Sequence, residues 1–369
     1  MITGGHLTPA LAVIDELIKQ GGWQIFFFGR QHAAEGDQTA SVESKIIPDR
    51  GIPFIAIKAG RVQRQLNRYT FKSYFKIPIS FFQAIYWLIR LRPDVVLSFG
   101  GYVSVPIVLA AWVLRIPVVT HEQTTVQGLA TKINTYFAKK IAVSWPQTVK
   151  EFPVKKVVLT GNPIRKEIFK VNEKIWRALK FEKDRPLVFI TGGNQGSHLI
   201  NMAIESALPK LVKKYNVFHQ CGHLSALGDF ERLGKARVKL PTRLRRRYHC
   251  KKYLNANEMG TLLNKADLVM ARAGANTITE LVALGKPALL IPLPWLYQDE
   301  QTKNAQMLFE MGMAEILLQK NLSPGALNQA VDKLIKDSDK YKQKGVQAKK
   351  IIKRDAAKRI VSLVERAVR

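Results

Sequence analysis

Cysteine, acidic side chains and long apolar runs are all scarce in this chain. Its two cysteines, Cys221 and Cys250, stand at no metal-ligand spacing and allow at most one bridge. That excludes a disulfide scaffold and favours a reducing compartment. The longest apolar stretches, 77–91 and 102–114, fall short of the roughly 20 residues a spanning helix needs, so no transmembrane segment is expected. No hydrophobic leader precedes the first glycines. Asp and Glu number 28 against 58 Lys and Arg, leaving a net charge of +30. Such an excess suits an anionic partner: nucleic acid, an anionic membrane surface or a strongly acidic substrate. A generally basic proteome would give the same excess with no partner at all. What is present is a chain of 369 residues, 47% hydrophobic, with 24 Gly and 17 Pro. That is globular composition, long enough for two domains.

The most informative stretch runs from 267 to 304. Asp267-Leu268-Val269-Met270 reads as a buried strand, Arg272-Ala273-Gly274-Ala275-Asn276-Thr277 as a small-residue turn, and 278–284 as a helix closed by Gly285. Ala288-Leu289-Leu290-Ile291-Pro292 follows as the next parallel strand. A Gly/Ala turn before a helix lets a ligand approach the backbone, and first-turn amides with the helix dipole behind them suit a phosphate. Glu280 is placed to accept hydrogen bonds from sugar hydroxyls. An ordinary crossover in an α/β sheet would share these features.

The word Ile-Thr-Gly-Gly occurs twice, at Ile2 and at Ile190, about half a chain apart. The second copy follows the strand Leu187-Val188-Phe189-Ile190 and precedes a helix at 199–208, so two similar doubly wound α/β domains are expected. By that analogy the first domain lacks the strand that should lead into Gly4, and the natural frame is expected to begin several residues upstream. Strands are predicted at 24–29, 94–99, 117–120, 140–145, 156–159 and 217–220. Ligands collect at the carboxyl ends of such strands, which should bring His6, the Gly100-Gly101 turn and His121-Glu122 into one crevice. Between 61 and 92, cations alternate with Phe75, Ile77, Phe81, Phe82 and Trp87, a pattern suited to the interface of an anionic bilayer. A core helix with a solvated face is the alternative. The run 243–252 reads mostly as solvated basic surface, and 341–369 as one basic amphipathic helix, with Ile352, Ala356, Ile360, Leu363, Val364 and Ala367 on one face.

With these words in place, the chain resembles the two-domain GT-B glycosyltransferases, most closely the bacterial transferases that add N-acetylglucosamine to lipid I in peptidoglycan synthesis. The resemblance covers nearly the whole length. It rests on Thr3-Gly4-Gly5-His6, Gly100-Gly101-Tyr102-Val103-Ser104, His121-Glu122-Gln123, Gly161-Asn162-Pro163-Ile164-Arg165, Gly192-Gly193-Asn194-Gln195-Gly196, His219-Gln220, Arg272 through Glu280, and Gln301 to Ala305. It implies an acceptor and membrane domain at 1–165 facing a UDP-sugar domain at 166–344 across a cleft, with a C-terminal helix from about 345 to 369 packing back on the first. On the matching positions, Ala275, Asn276, Thr277, Ile278, Thr279 and Glu280 would cradle the α-phosphate and ribose, with Arg165 and Asn194 near the nucleotide. Gln301 and Asn304 would hold the sugar hydroxyls, Thr124 the donor sugar, and the Leu254 backbone the uracil. Thr3, Gly4 and Gly5 count among the donor contacts and would also face the acceptor pyrophosphate, as would Gly100, Gly101, Tyr102 and Ser104. Thr124 stands where the family usually has Asn, Asn194 where it usually has Ser, and Val105 replaces a usual Gly.

An inverting transfer needs a base for the attacking hydroxyl and positive potential for the departing UDP. His6 is the first choice as base and Glu122 the second, unless Glu122 orients a histidine instead. No Asp-x-Asp word stands in the donor stretch, so neither metal nor cofactor is expected, UDP-N-acetylglucosamine being a co-substrate. The expected partners are that nucleotide sugar, lipid I and an anionic membrane, with no nucleic acid. The expected location is peripheral, on the cytoplasmic face of the cell membrane. Two other readings keep the fold, a UDP-sugar 2-epimerase and a diacylglycerol glycosyltransferase. A third, nucleic-acid binding, rests on charge alone.

Overall fold

A computed structural model of the chain describes residues 1–32, 40–58, 68–223, 227–295 and 297–368, the side chains of 68–77 and 297 excepted. The chain divides into two compact units, Met1–Ile164 with Lys353–Arg369, and Arg165–Ile352.

The first unit alternates strand and helix. β1 (Ile2–Thr3), α1 (Leu7–Gln20), β2 (Phe27–Gly29), α2 (Val42–Ile46), β3 (Phe54–Ala56) and α3 (Arg68–Leu91) form its first half. β4 (Val96–Ser98), α4 (Ser104–Val113), β5 (Val118–Glu122), α5 (Leu129–Phe137), β6 (Lys140–Val143) and β7 (Val157–Leu159) form the rest. The pairings between these strands are parallel, in the order β3-β2-β1-β4-β5-β6-β7. Parallel strands covered on both faces read as unbroken apolar runs, which is why Val118 and Val119 or Ile141, Ala142 and Val143 are fully enclosed. One face packs on α1, through Leu11, Val13, Ile14 and Leu17, and the other on α3 and α4, through Ala84, Leu88, Ile107 and Val108.

The expected gap before Gly4 is not found. Ile2 pairs with Phe27 on one side and Leu97 on the other, and Thr3 with Phe28 and Ser98. Each of these two residues is paired on both sides, and the Met1 nitrogen donates to Val95 O at 2.9 Å.

In the second unit, α6 (Glu173–Ala178) precedes β8 (Leu187–Thr191), α7 (His198–Lys214), β9 (Asn216–Gln220), α8 (Asp229–Lys239), α9 (Thr242–Arg245) and β10 (Tyr248–Lys251). α10 (Ala256–Lys265), β11 (Leu268–Ala271), α11 (Ala275–Leu284), β12 (Ala288–Leu290), α12 (Glu300–Glu310), β13 (Ala314–Ile316), α13 (Pro324–Lys336) and α14 (Ser338–Ala348) follow. Its parallel sheet runs β10-β9-β8-β11-β12-β13. Both sheets therefore reverse their order at one place, between β1 and β4 and between β8 and β11, and that reversal opens a crevice at the strands' carboxyl ends.

Two further expectations need correction. The tail is not one helix: α14 ends at Ala348, and α15 (Ala356–Val368) starts afresh after a break. Gly345 packs against Gly285 at the end of α11, while α15 crosses to the first unit and lies on α1. There it buries Ile360, Val361, Leu363 and Val364, each contributing roughly 1.5–3 kcal/mol. Ile352 falls in the break between them, off the α15 face. Nor is the basic run 243–252 simply solvated. Tyr248–Lys251 is a strand, and Arg247 is buried against Glu182 at 2.9 Å because its guanidinium also closes the end of α7 by donating to Val212 O. Three arginines, Arg247 foremost, hold the Glu182 carboxyl down at about 2.

Candidate active site

At the reversal in the first unit, β1 ends in Gly4-Gly5-His6 and β4 in Phe99-Gly100-Gly101. The two turns touch backbone to backbone. Gly5 N donates to Gly100 O at 3.0 Å, and a Cβ on Gly101 would lie 2.9 Å from Gly5 Cα and N. A Cβ on Gly4, at φ 145°, would meet the Phe99 backbone at 2.8 Å. Only glycine permits that approach. His6 stands at the N-terminal boundary of α1 without capping it by its side chain, and its Cδ2 lies 3.7 Å from where a Gly100 Cβ would sit. Burial, and then the Arg30 guanidinium, push its imidazole down to about 4, so the ring is neutral at pH 7 and able to accept a proton. Arg30 ends β2, where it pairs with Glu43 at 3.2 Å and lies over the half-buried Tyr102 ring, 5.9 Å from its centroid.

The other residues expected here are placed less uniformly. Thr3 is fully enclosed in the sheet and its hydroxyl does not reach the crevice. Ser104 is buried too, its hydroxyl donating to Gly101 O at 2.8 Å and accepting from Asn134. Both oxygens of the Glu122 carboxylate are engaged: Oε1 accepts from Thr124 N at 3.1 Å and Thr124 Oγ1 at 2.9 Å, and Oε2 from Gly128 N at 2.9 Å. Glu122 thus orients the loop leading into α5 and not an imidazole. The Thr124 hydroxyl, shared with Val126 O, is turned inward as well.

At the reversal in the second unit, β8 ends in the turn 192–196 and β11 in Arg272-Ala273-Gly274. They border a cavity of about 470 Å³ lined by Gly193, Gly196, Ser197, His198, Arg272, Gly274, Thr277, Trp295, Gln301 and Gln319 among others. α7 and α11 both begin there and no side chain caps either one. Their first-turn amides are the groups a bound phosphate would satisfy. Arg272 braces the site, its Nη1 donating to Ile291 O at 3.0 Å and its Nη2 to Ser197 Oγ at 2.7 Å and Gln319 Oε1 at 2.8 Å. Arg272, Ser197, His198 and Gln319 were not singled out as site residues from sequence. Arg272 and Ser197 stood beside the glycine words, but Gln319 is brought in only by the fold.

Of the expected donor contacts, Thr277 and Gln301 line this cavity, the latter fixed by Leu293 N donating to its Oε1 at 3.0 Å. Asn304 is buried and props the turn by donating to Ala273 O at 3.0 Å. Ala275 and Ile278 are buried in α11, Asn276 is half-buried, and the Thr279 hydroxyl donates back to Ala275 O. Asn194 is exposed on the glycine turn and is not among the lining residues. Arg165 Nη2 lies 3.8 Å from Glu280 Oε1, and Arg165 Nε is buried without a partner among the described residues. Burial raises the Glu280 carboxyl to about 7, Arg165 offsetting part of the effect. Leu254 is buried and lines a second cavity of about 210 Å³ with Leu179, Phe218, His249 and Leu262.

The side chains of Phe75 and Ile77 lie outside the described residues. Of the other apolar residues expected at a membrane, Phe82 is 68% exposed, whereas Phe81 and Trp87 are half-buried against the core. The outer stripe of α3 is instead Ile79, Phe82, Tyr86 and Ile89, at helical spacing. Trp112 on α4 and Tyr136 on α5 are exposed as well, with Arg90, Arg92, Arg115 and Lys132 among the exposed cations of the same elements and their flanks. Among the described residues no helix is long and apolar enough to cross a membrane.

Comparison with known proteins bears on both sites. The glycosyltransferase family 28 N-terminal domain matches residues 3–143 and the family 28 C-terminal domain residues 187–360. The chain is 33% identical, over 99% of its length and 97% of the relative's, to UDP-N-acetylglucosamine--N-acetylmuramyl-(pentapeptide) pyrophosphoryl-undecaprenol N-acetylglucosamine transferase 2 of Bacillus cereus. The crystal structure of Acinetobacter baumannii MurG is similar at a TM-score of 0.71 and 28% identity, covering 99% of both chains. A UDP-GlcNAc 2-epimerase from Neisseria meningitidis bound to UDP-GlcNAc matches at a TM-score of 0.66 over 99% of this chain and 98% of its own, but at 15% identity, a likeness of fold alone. With both reversal points inside the matched domains and identity sustained almost end to end, the chain belongs to glycosyltransferase family 28, with the two-domain GT-B architecture.

Proposed function

We propose that this protein moves N-acetylglucosamine from UDP-N-acetylglucosamine to the C4 hydroxyl of lipid I, giving lipid II and UDP with inversion at the anomeric carbon. The observation that carries the reading is the near full-length identity to a transferase of that printed activity. The second unit holds the donor, its diphosphate at the amides that open α7 and α11 and its ribose at Glu280, with Gln301 on the sugar. The Leu254 backbone meets the uracil. The first unit takes the acceptor pyrophosphate along Gly4-Gly5, Gly100-Gly101 and Tyr102. His6, neutral at pH 7, accepts the proton of the attacking hydroxyl as the new glycosidic bond forms, and the bond to the β-phosphate oxygen breaks. The charge that develops on UDP is met by helix amides and by the positive field of Arg272. Neither metal nor cofactor has a step in this scheme.

The α3 stripe of Ile79, Phe82, Tyr86 and Ile89 with its flanking cations rests on the anionic cytoplasmic face of the membrane, where a polyprenyl acceptor resides. Incubation of the full chain with labelled UDP-N-acetylglucosamine and lipid I is expected to yield labelled lipid II. Labelled epimer without acceptor, or label on diacylglycerol, would replace the reading with one of its two relatives of the same fold. Phe82→Ser with Ile89→Ser is expected to lower sedimentation with phosphatidylglycerol vesicles while leaving UDP binding intact. Equal sedimentation of variant and parent would remove α3 as the contact. Tight duplex binding that UDP does not displace would reopen the nucleic-acid reading.

A further inference from the structure

His198 is the first residue of α7 and lines the larger cavity. Its Nδ1 is 2.7 Å from Oδ1 of Asp229, which is buried at the start of α8. That carboxylate is itself held from two sides: Asn201 Nδ2 donates to Oδ2 at 2.7 Å, and Arg232 Nη2 lies 3.0 Å from Oδ1. Arg232 is steadied in turn by Glu205 at 2.7 Å, and Asn201 by the buried His219 at 3.0 Å. A carboxylate only accepts hydrogen bonds, so the imidazole must carry a proton on Nδ1, which leaves Nε2 for the cavity.

We infer that His198, positioned by Asp229, is a ligand of the donor's diphosphate, meeting it through Nε2. The inference rests on the UDP-sugar reading of this cavity. Its ground is an imbalance of charge. Among the described lining residues the cation is Arg272, and both terminal nitrogens of that guanidinium are already donating to Ile291 O, Ser197 Oγ and Gln319 Oε1. Arg272 therefore supplies field, while the side chain left to make a charge-assisted bond to phosphate is His198. Asp229 does for it what a carboxylate does for many working histidines: it fixes the ring plane and holds Nδ1, so that the opposite nitrogen is presented to the anion. The surrounding charges are Asp229 and Arg232 on α8, Glu205 on α7 and Arg272 before α11.

The test compares UDP with uridine on the full chain, since only UDP carries the charge His198 is assigned to meet. His198→Gln is expected to weaken UDP about tenfold, the scale of one charge-assisted bond, with uridine affinity unchanged. It is also expected to raise the donor KM more than it lowers kcat. His198→Arg, which supplies a fixed cation, is expected to recover most of the UDP affinity. Equal weakening of UDP and uridine, unaltered UDP affinity in His198→Gln, or no recovery in His198→Arg would overturn the assignment and leave His198–Asp229 as a tie between α7 and α8. If the parent protein binds neither UDP nor the UDP-sugar, the donor-site reading fails first, which is a distinct result.

Discussion

The same lead-in, Ile-Thr-Gly-Gly, ends the strand beside the order reversal in both sheets; its first glycine, Gly4 or Gly192, admits a close backbone approach in each, but its second glycine does different work. In the first unit Gly4 and Gly5 let β1 and β4 bring their turns into contact, and a side chain, His6, stands at the helix start. In the second unit a Cβ on Gly193 would meet nothing within 4 Å, and the turn opens onto a cavity at the starts of two uncapped helices. Both crevices carry an imidazole at a helix start, His6 in the first and His198 in the second, but only the second opens the first turns of two helices onto a cavity. A glycine word therefore marks a place in this fold, and what it does is decided by the strand across from it.

The comparison would break first at His6. His6→Ala is expected to cut turnover by about 10²–10⁴-fold while UDP affinity stays within a factor of two, the usual span for losing a general base. Unchanged turnover would move the base elsewhere. Because the imidazole sits at about 4, its free-base form persists well below neutrality. The acid limb of kcat/KM is therefore expected nearer pH 4 than 6.5, and a limb at 6.5 or above would contradict that placement.

Glu280 sharpens the other side. Its folded-state carboxyl, at about 7, lies above the 4.5 of the unfolded chain, so the folded state binds the proton more tightly. The Glu280 contribution to stability should be fully present below pH 4.5 and be lost as pH rises through 7, by an amount on the order of 3 kcal/mol. Thermal melts from pH 5 to 8 on the parent and Glu280→Gln read this directly. The variant is expected to lose that slope and to bind UDP-sugar more weakly, because a carboxylate on ribose hydroxyls is lost. A slope that persists in the variant would assign it to another group.

Smaller effects separate the two glycine turns. Gly101→Ala drives a Cβ to 2.9 Å from the Gly5 backbone at φ 73°, and Gly193→Ala meets open space at φ 82°. The first is expected to cost roughly 2–4 kcal/mol by denaturant melt and the second only the left-handed strain of about 1–2 kcal/mol. Equal costs would erase the contrast drawn between the two crevices. Of comparable size is Glu122→Gln, which swaps one accepting oxygen for an amide facing N–H donors in a buried loop. A loss of about 1–3 kcal/mol in stability is expected, with a smaller loss of turnover than His6→Ala. A turnover loss matching His6→Ala would restore Glu122 as a base.

Much of this was legible from residue order. Both glycine words, the strand before the second of them and the tight αβ turn at Gly285 follow from local chemistry: apolar runs must be enclosed, and a chain that doubles back at positive φ needs glycine. The family resemblance named the donor stretch, and Thr277 and Gln301 do line the cavity. Burial and hydrogen-bond partners were not legible. Thr3, Ser104 and Thr124 have the right chemistry for a site and sit in motif words, yet their hydroxyls are enclosed or spent on the backbone and Glu122. Arg247 looked like one of many surface cations until Glu182 and the end of α7 closed around it. The two-residue β1 carried too little pattern to be seen as a strand, because its stability comes from β2 and β4, each distant in sequence.

The order of residues by itself determined two doubly wound halves, where each chain reversal falls and which helices open beside glycine turns, since periodicity and φ preference are properties of a few consecutive residues. Tertiary structure alone decided which charges are dry and which donors are free: that His6 is neutral, that Glu280 holds its proton up to about 7, that Arg272 is spent and His198 is not. Those depend on desolvation and on partners dozens of residues away, and neither is written in any local stretch of the chain.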